Sequence, residues 1–371
     1  MEYHNFLNLN NVSMFEDVKE LLENNNINVK EDGNLYLIYY KRDTNKLNSL
    51  QHECNGMILE KNTNKIICNS YNKFYKSNND ILSKFKNDFD NIVIENCIEG
   101  TLLRLYYYNG TFRVATKKCI NSNYINKYNN NNYYKLFEDS IKYSKFKNYT
   151  FEKNKVYFFL LKHPHNVIIF NYKTPELVHL ETFKIDNNII IREEINRSSL
   201  LCNTDSYEEL SEYINNQTLE NIIYQGIVIY HKKYPMLKQR FYFNIYEKLY
   251  KSFGQQCDPF IRFIELRNNI NLMQIYLKLF PDYKKLFFEY EHKFITFASN
   301  IHKLYLRIKV EKKNYNIQKN FKKIIYDLHG IYLKNRMPIT ITIIIGHLMT
   351  LDKNLVGFLF NDYEKNNLYI P

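Results

Sequence analysis

Residues 95–116 read ENCIEGTLLRLYYYNGTFRVAT, and the organisation of the chain follows from this stretch. A strand over Ile92–Asn96 leads into a tight acidic-glycine turn at Glu99-Gly100. A second strand follows at Leu102–Tyr107, and a third, Thr111–Thr116, ends in threonine. Between the last two sits Asn109-Gly110, a pair that tolerates the positive φ angles of a type I′ turn, so the spacing predicts a two-residue hairpin.

Working outward, further strands are expected at Leu35–Tyr40, Gly56–Glu60, Val156–Leu161, Val167–Phe170, Phe183–Ile191 and Ile227–Tyr230, where apolar and β-branched residues run between turn signals. Two helices interrupt them. Ser13 and Glu16 have capping-box spacing ahead of a helix carrying Val18, Leu21 and Leu22, and Ser206 with Glu209 repeats the signal. The asparagine run at 129–132 reads as a loop tip. After Tyr250 the texture becomes helical. Phe287, Tyr290, Phe294, Phe297, Ile301, Leu304 and Ile308 recur at intervals of three and four, one apolar stripe of a long helix that begins after Pro281 and Asp282. The fold class expected is α+β: two mainly antiparallel sheets with flanking helices over residues 1–250, then an all-helical C-terminal domain over 251–371.

Composition bounds what this chain can be. With 371 residues, 45% hydrophobic and 24% charged, it can bury a large core, and intrinsic disorder is excluded as the general state. The net charge of +12 suits a polyanion such as RNA. An AT-rich genome would inflate Lys and Asn together and give the same excess, so both readings stay open. Six cysteines (54, 68, 97, 119, 202, 257) form no CxxC pair, which argues against a zinc site and a disulfide framework and for a reducing compartment. No basic n-region precedes an apolar core at the N-terminus, and the most apolar run, Ile339–Met349, falls short of the roughly 20 residues that span a bilayer. A soluble cytoplasmic protein with no membrane partner is expected.

At residues 95–116 the sequence resembles the covalent nucleotidyltransferases, and the phage-type ATP-dependent RNA ligases in particular, whose KxDG motif begins such a hairpin. Further segments agree in order and spacing. ECNGMILE (53–60) looks like an ExRG strand, YNKFYKSNN (71–79) like KFFN, FFLLKHPHNVIIFNY (158–172) like FELxxPxNxIVxxY, and YQGIVIY (224–230) like EGVV. LKQRFY (237–242) sits where the paired lysines of KxK are expected. The resemblance implies an adenylation-domain fold for the first part of the chain.

In that family the motif lysine attacks the α-phosphorus of ATP, a divalent metal (Mg or Mn) assists, and the adenylyl group passes to a 5′-phosphate RNA end. Laid onto this chain, the attacking position is Cys97, followed by Glu99 and Gly100. Cysteine is shorter than lysine and cannot reach the same phosphorus without backbone movement. The ribose-binding glutamate aligns with Leu160, the metal-associated glutamate with Gln225, and the upstream arginine with Asn55. A neutral amide binds a hard cation more weakly than a carboxylate. Lys73, Lys238 and Arg240 keep positive charge toward phosphates. The resemblance therefore implies a degenerate nucleotide pocket of Lys73, Cys97, Glu99, Gly100, Leu160, Gln225, Lys238 and Arg240, with no metal set of its own.

Three functions compete: a catalytically degraded ligase-like protein that binds RNA or a protein partner; an active ATP-dependent RNA ligase that recruits Lys117, Lys118 or Lys238; and a structural subunit of a viral RNA-processing complex, docking a partner through the helical domain. AT-rich composition with a ligase-like fold suggests the viral setting by analogy. His163 and His165, flanking Pro164, have no third ligand at useful spacing. Arg307, Lys309, Lys312 and Lys313 read as a solvated helix end or an RNA contact.

Overall fold

The computed structural model describes residues 15–40, 51, 54–69, 75–76, 83–123, 132–234, 238–254, 258–314, 317 and 319–365. The chain divides into two compact units, Met1–Gln256 and Cys257–Pro371. The first is built from mainly antiparallel sheets and the second from helices, as expected. Among the described residues the sheets number three, where two were expected.

The first sheet has the order β1-β2-β3-β4, from Ile27–Asp32, Leu35–Tyr40, Asn55–Glu60 and Ile66–Cys68. Helix α1 (Phe15–Asn24) buries Val18 and Leu22 in the same core, while Leu21 is exposed and Ser13 lies outside the described residues. The central sheet has the order β11-β10-β9-β7-β8, with β7 Thr101–Tyr108, β8 Thr111–Ala115, β9 Lys155–Lys162, β10 Glu176–Asp186 and β11 Ile189–Glu193. The third sheet, β5-β13-β12-β6, uses Tyr75–Lys76, Gln239–Tyr242, Gly226–His231 and Ile92–Cys97. Its β5–β13 pair is parallel, whereas the other strand pairs are antiparallel.

The period of two along β7 and β9 makes the central sheet the middle layer. Tyr106, Tyr108, Val156 and Phe158 face the core shared with the first sheet. Leu103, Leu105, Tyr157, Phe159 and Leu161 face a second core, closed by Leu136 and Phe137 of α2 (Tyr133–Lys142). Asn132 caps α2 by accepting a hydrogen bond from the Lys135 amide at 2.7 Å. The β7–β8 hairpin turns at Asn109 (φ 47°) and Gly110 (φ 84°), with Tyr108 opposite Thr111.

Arg104, on the same face of β7 as Tyr106 and Tyr108, is 1% exposed. It donates to three backbone carbonyls: Gly56, Asn69 at 3.2 Å and Thr116 at 2.7 Å. One side chain thus ties the entry to β3, the exit from β4 and the end of β8 together.

Two strand expectations are corrected. Phe183–Ile191 is not one strand but the end of β10 and the start of β11, reversed at Asn187 (φ 48°) and Asn188 (φ 65°). Asparagine reaches the left-handed region more easily than other non-glycine residues, and two in succession make a hairpin turn. Val167–Phe170 is irregular. The amides of Ile169 and Phe170 donate to the Glu99 carboxylate at 2.9 and 2.8 Å, so these groups are satisfied by a side chain instead of a strand neighbour.

Helix α3 (Tyr207–Asn215) starts at Ser206, whose hydroxyl accepts from the Glu209 amide. Helix α4 (Asn244–Phe253) closes the first unit.

The second unit contains α5 (Pro259–Leu266), α6 (Ile270–Leu279), α7 (Tyr283–Tyr305), α8 (Lys319–Asn335), α9 (Ile341–Thr350) and α10 (Lys353–Lys365). Phe287, Phe294, Phe297, Ile301 and Leu304 form the buried stripe of α7, which runs on into a π-helical turn at Leu306–Val310. Phe260 of α5 stacks on Phe360 of α10 with ring centroids 4.0 Å apart. Among the described residues no helix is long and apolar enough to cross a membrane.

Candidate nucleotide cleft

The third sheet brings distant residues into one row. Cys97 of β6 pairs with Gly226 of β12, which pairs with Tyr242 of β13; two residues along, Glu95, Val228 and Arg240 are opposite one another. Side chains two apart share a strand face, so Glu95 and Cys97 look the same way. Leu102, Leu160 and Leu180 of the central sheet, with Arg197 and Leu200 from the segment after β11, provide the opposing wall. Together these residues enclose a cavity of ≈ 230 Å³, lined also by Asn96, Ile98, Gly100, Gln225 and Lys238.

Six residues singled out from the sequence, Cys97, Gly100, Leu160, Gln225, Lys238 and Arg240, thus line one cavity although they lie far apart in the chain. Of the other two, one does not contribute and one is not described. Glu99 is 1% exposed and faces away, its carboxylate accepting from the amides of Ile169 and Phe170 and from the Tyr246 hydroxyl at 2.7 Å. Burial pushes its carboxyl above the ordinary range, and these donors only partly offset that. Lys73 lies outside the described residues.

Two glycines allow the close approach of neighbouring strands within each wall. A Cβ on Gly100 would sit 2.6 Å from the Leu161 carbonyl and 2.9 Å from the Leu160 side chain. One on Gly226 would sit 2.0 Å from the Phe241 carbonyl.

Gln225 is turned onto Cys97 and Ile98 at the end of β6. Its side-chain amide donates to the Ile98 carbonyl at 2.8 Å and the Cys97 sulfur at 3.3 Å, and its backbone amide to the Cys97 carbonyl at 2.9 Å. Cys97 is 5% exposed. Burial pushes its thiol up; the charge of Arg240 and the hydrogen bond from Gln225 pull it back only in part. A thiol held protonated is a poor nucleophile.

The polar end of the cavity is a charge network the sequence reading missed. Glu181 of β10, 1% exposed, is ion-paired through one oxygen to Lys238, to Arg197 at 3.1 Å and to Arg192 at 3.3 Å. Its other carboxylate oxygen is buried with no hydrogen-bond partner among the described residues. Arg197 also reaches Glu95 at 2.5 Å, and Glu95 accepts from the Tyr230 hydroxyl at 2.8 Å. Burial alone would raise the Glu181 carboxyl, but the surrounding cations outweigh it and hold it below the ordinary range. Lys238, fully enclosed, is lowered by burial against the pull of Glu181. Glu181 precedes the strand expected at Phe183–Ile191, and nothing in the sequence named its partners.

The lysines considered as substitutes divide. Lys238 lines the cavity. Lys117 donates to the Tyr40 hydroxyl at 3.0 Å and Lys118 lies over the Tyr39 ring at 5.4 Å, and neither is among the lining residues.

These donors do not fit a divalent cation. Gln225 presents its N–H groups to Cys97 and Ile98, and Glu95 and Glu181 are committed to cations. Among the described residues no group of three or more His, Cys, Asp or Glu could hold a metal. His163 is engaged by Asp139 at 3.2 Å and by the His165 amide at 3.0 Å, and burial lowers its pKa.

No protein family matches this sequence. No curated protein matches it either. Among solved structures, a putative ATP-dependent DNA ligase from Aquifex aeolicus aligns at a TM-score of 0.38 and 12% identity, over 85% of this chain and 87% of that one. An archaeal ATP-dependent RNA ligase aligns at 0.40 and 11% identity, over 62% of this chain and 64% of that one.

Proposed function

We propose that this chain is an RNA-ligase-like protein of the nucleotidyltransferase fold that no longer transfers nucleotides and acts by binding RNA. What carries the reading is the convergence of Cys97, Leu160, Gln225, Lys238 and Arg240 on one cavity, since the resemblance assigns those positions to a single nucleotide pocket. Chemistry supports the loss of activity. The attack position holds a protonated, buried thiol, the ribose position an aliphatic side chain, and the metal position an amide that donates into the protein. Charge stabilisation of a transferring phosphoryl group needs positioned cations and a metal. Here Lys238 is neutralised by Glu181.

The test is incubation of the purified chain with α-labelled ATP or GTP and magnesium or manganese, followed by gel detection of labelled protein. No label is expected. A metal-dependent, acid-labile adduct overturns the reading.

A second reading has one observation in its favour: Lys238 lines the cavity and burial lowers its pKa, as an attacking amine requires. An adduct mapped to Lys238 would establish this chain as an active ligase-like nucleotidyltransferase with a relocated nucleophile.

A further inference from the structure

The net charge of this protein is unevenly distributed. From Lys303 to Arg336 there are ten Lys or Arg and two Asp or Glu, so this segment supplies 8 of the formal +12. Of the two acids, Glu311 is ion-paired to Lys313 at 2.8 Å, and Asp327 lies 3.8 Å from the His347 ring. Lys319, Lys322, Lys323 and Lys334 make no ion pair among the described residues, and all four are exposed on α8.

Helical spacing places them on one face. Positions 319, 322, 323, 326, 330, 333 and 334 follow steps of three and four, and all are exposed, while Phe321, Ile324, Ile325 and Leu328 bury the opposite side. Two features of that face are not those of an ordinary solvated lysine stripe. Tyr326, between the lysines, is 73% exposed. One turn on is Gly330, where an added Cβ would meet nothing within 4 Å. Glycine inside a helix costs about 1 kcal/mol relative to alanine, and no packing within the unit requires it here. Its effect is a shallow gap beside an exposed ring, flanked by cations along about 22 Å of helix at 1.5 Å per residue.

We propose that this face of α8 binds single-stranded polynucleotide, with the lysines on phosphates, Tyr326 stacked on a base and the strand passing close over Gly330. A stacking ring with flanking cations suits unpaired bases, because every base offers a π-face and the backbone repeats its charge. This site lies within the second unit and does not depend on the cavity of the first.

The test is fluorescence anisotropy of the full chain with labelled single-stranded oligouridine, oligothymidine and an RNA duplex over a range of salt. Lys319→Glu/Lys322→Glu/Lys323→Glu should weaken single-strand binding at least tenfold and make the slope of log K against log salt shallower by about 2. Tyr326→Ala should cost roughly tenfold on single strands and little on duplex. Gly330→Leu should raise the thermal midpoint while weakening binding severalfold, a combination that a purely structural glycine cannot give. Equal RNA and DNA affinities place recognition on phosphate and base; an RNA preference adds the 2′-hydroxyl. Arg240→Ala in the cavity should leave the α8 effects intact. Single-strand affinity unchanged by the triple variant, or binding of an acidic protein in place of either oligonucleotide, overturns the proposal.

Discussion

Lys238 and Glu181 bury their charges against each other, each 1% exposed, and the same carboxylate oxygen also meets Arg192 and Arg197. Three cations thus converge on one anion at the polar end of the cavity.

The two partners should therefore respond unequally to removal. Glu181→Gln leaves three cations facing each other and should lower unfolding free energy by about 3–5 kcal/mol. Lys238→Met should cost clearly less, because Glu181 keeps both arginines. Urea denaturation of the two variants measures this; equal losses would show that the carboxylate is not the centre of the network.

Restoring the attack residue alone should not restore chemistry. On the proposed function, Cys97→Lys gives no labelled adduct with α-labelled ATP, because Leu160 and Gln225, at the positions proposed for ribose and metal, carry no carboxylate. Adding Leu160→Glu and Gln225→Glu is the combination able to recover adenylylation. Label on the single variant would show that those two positions are not needed.

Acid should weaken the first unit in a way traceable to His179. Burial among Phe146, Tyr157 and Phe159 lowers its pKa from 6.5 to about 4. The unfolded chain then binds the proton first, so this contribution is fully present above pH 6.5 and is lost as pH falls toward about 4. Glu181, held below the ordinary carboxyl range, loses its contribution in still stronger acid. Urea midpoints at pH 7.5, 6 and 5 should fall for the native chain and change less for His179→Gln. Parallel profiles would remove His179 as the cause.

Gly226 and Gly110 should rank in the order of what surrounds them. Gly226→Ala forces a methyl onto the Phe241 carbonyl and should cost at least about 2–3 kcal/mol by overpacking. Gly110 has open space, and alanine there meets only the strain of φ 84°. Thermal unfolding of both variants decides, and a larger loss at Gly110 would contradict the packing at β12.

The sequence was most legible where local chemistry decides structure. Asn109-Gly110 fixed a hairpin because few other pairs reach its backbone angles, and the apolar stripe of α7 needs no tertiary information. Val167–Phe170 failed because its amides answer to Glu99, a residue about seventy positions away. Gly100 and Gly226 were visible as motif glycines, while the reason for them, carbonyls 2.6 and 2.0 Å from an added Cβ, belongs to strand packing. The network around Glu181 was hidden for the same reason. Glu181 lies ahead of the strand expected from the sequence, and its partners come from β11, the segment after it and the residue preceding β13.

The carbonyl cluster around Arg104 has a consequence for how the first unit assembles. Its acceptors at Gly56, Asn69 and Thr116 belong to three different parts of the chain, and hydrogen bonds from a charged donor are among the stronger ones. Until all three arrive, closing the core around this guanidinium strands a cation in an apolar interior. Partly docked arrangements of the first and central sheets are therefore penalised, and the two should form in a single cooperative step, with Arg104 acting as a checkpoint on folding.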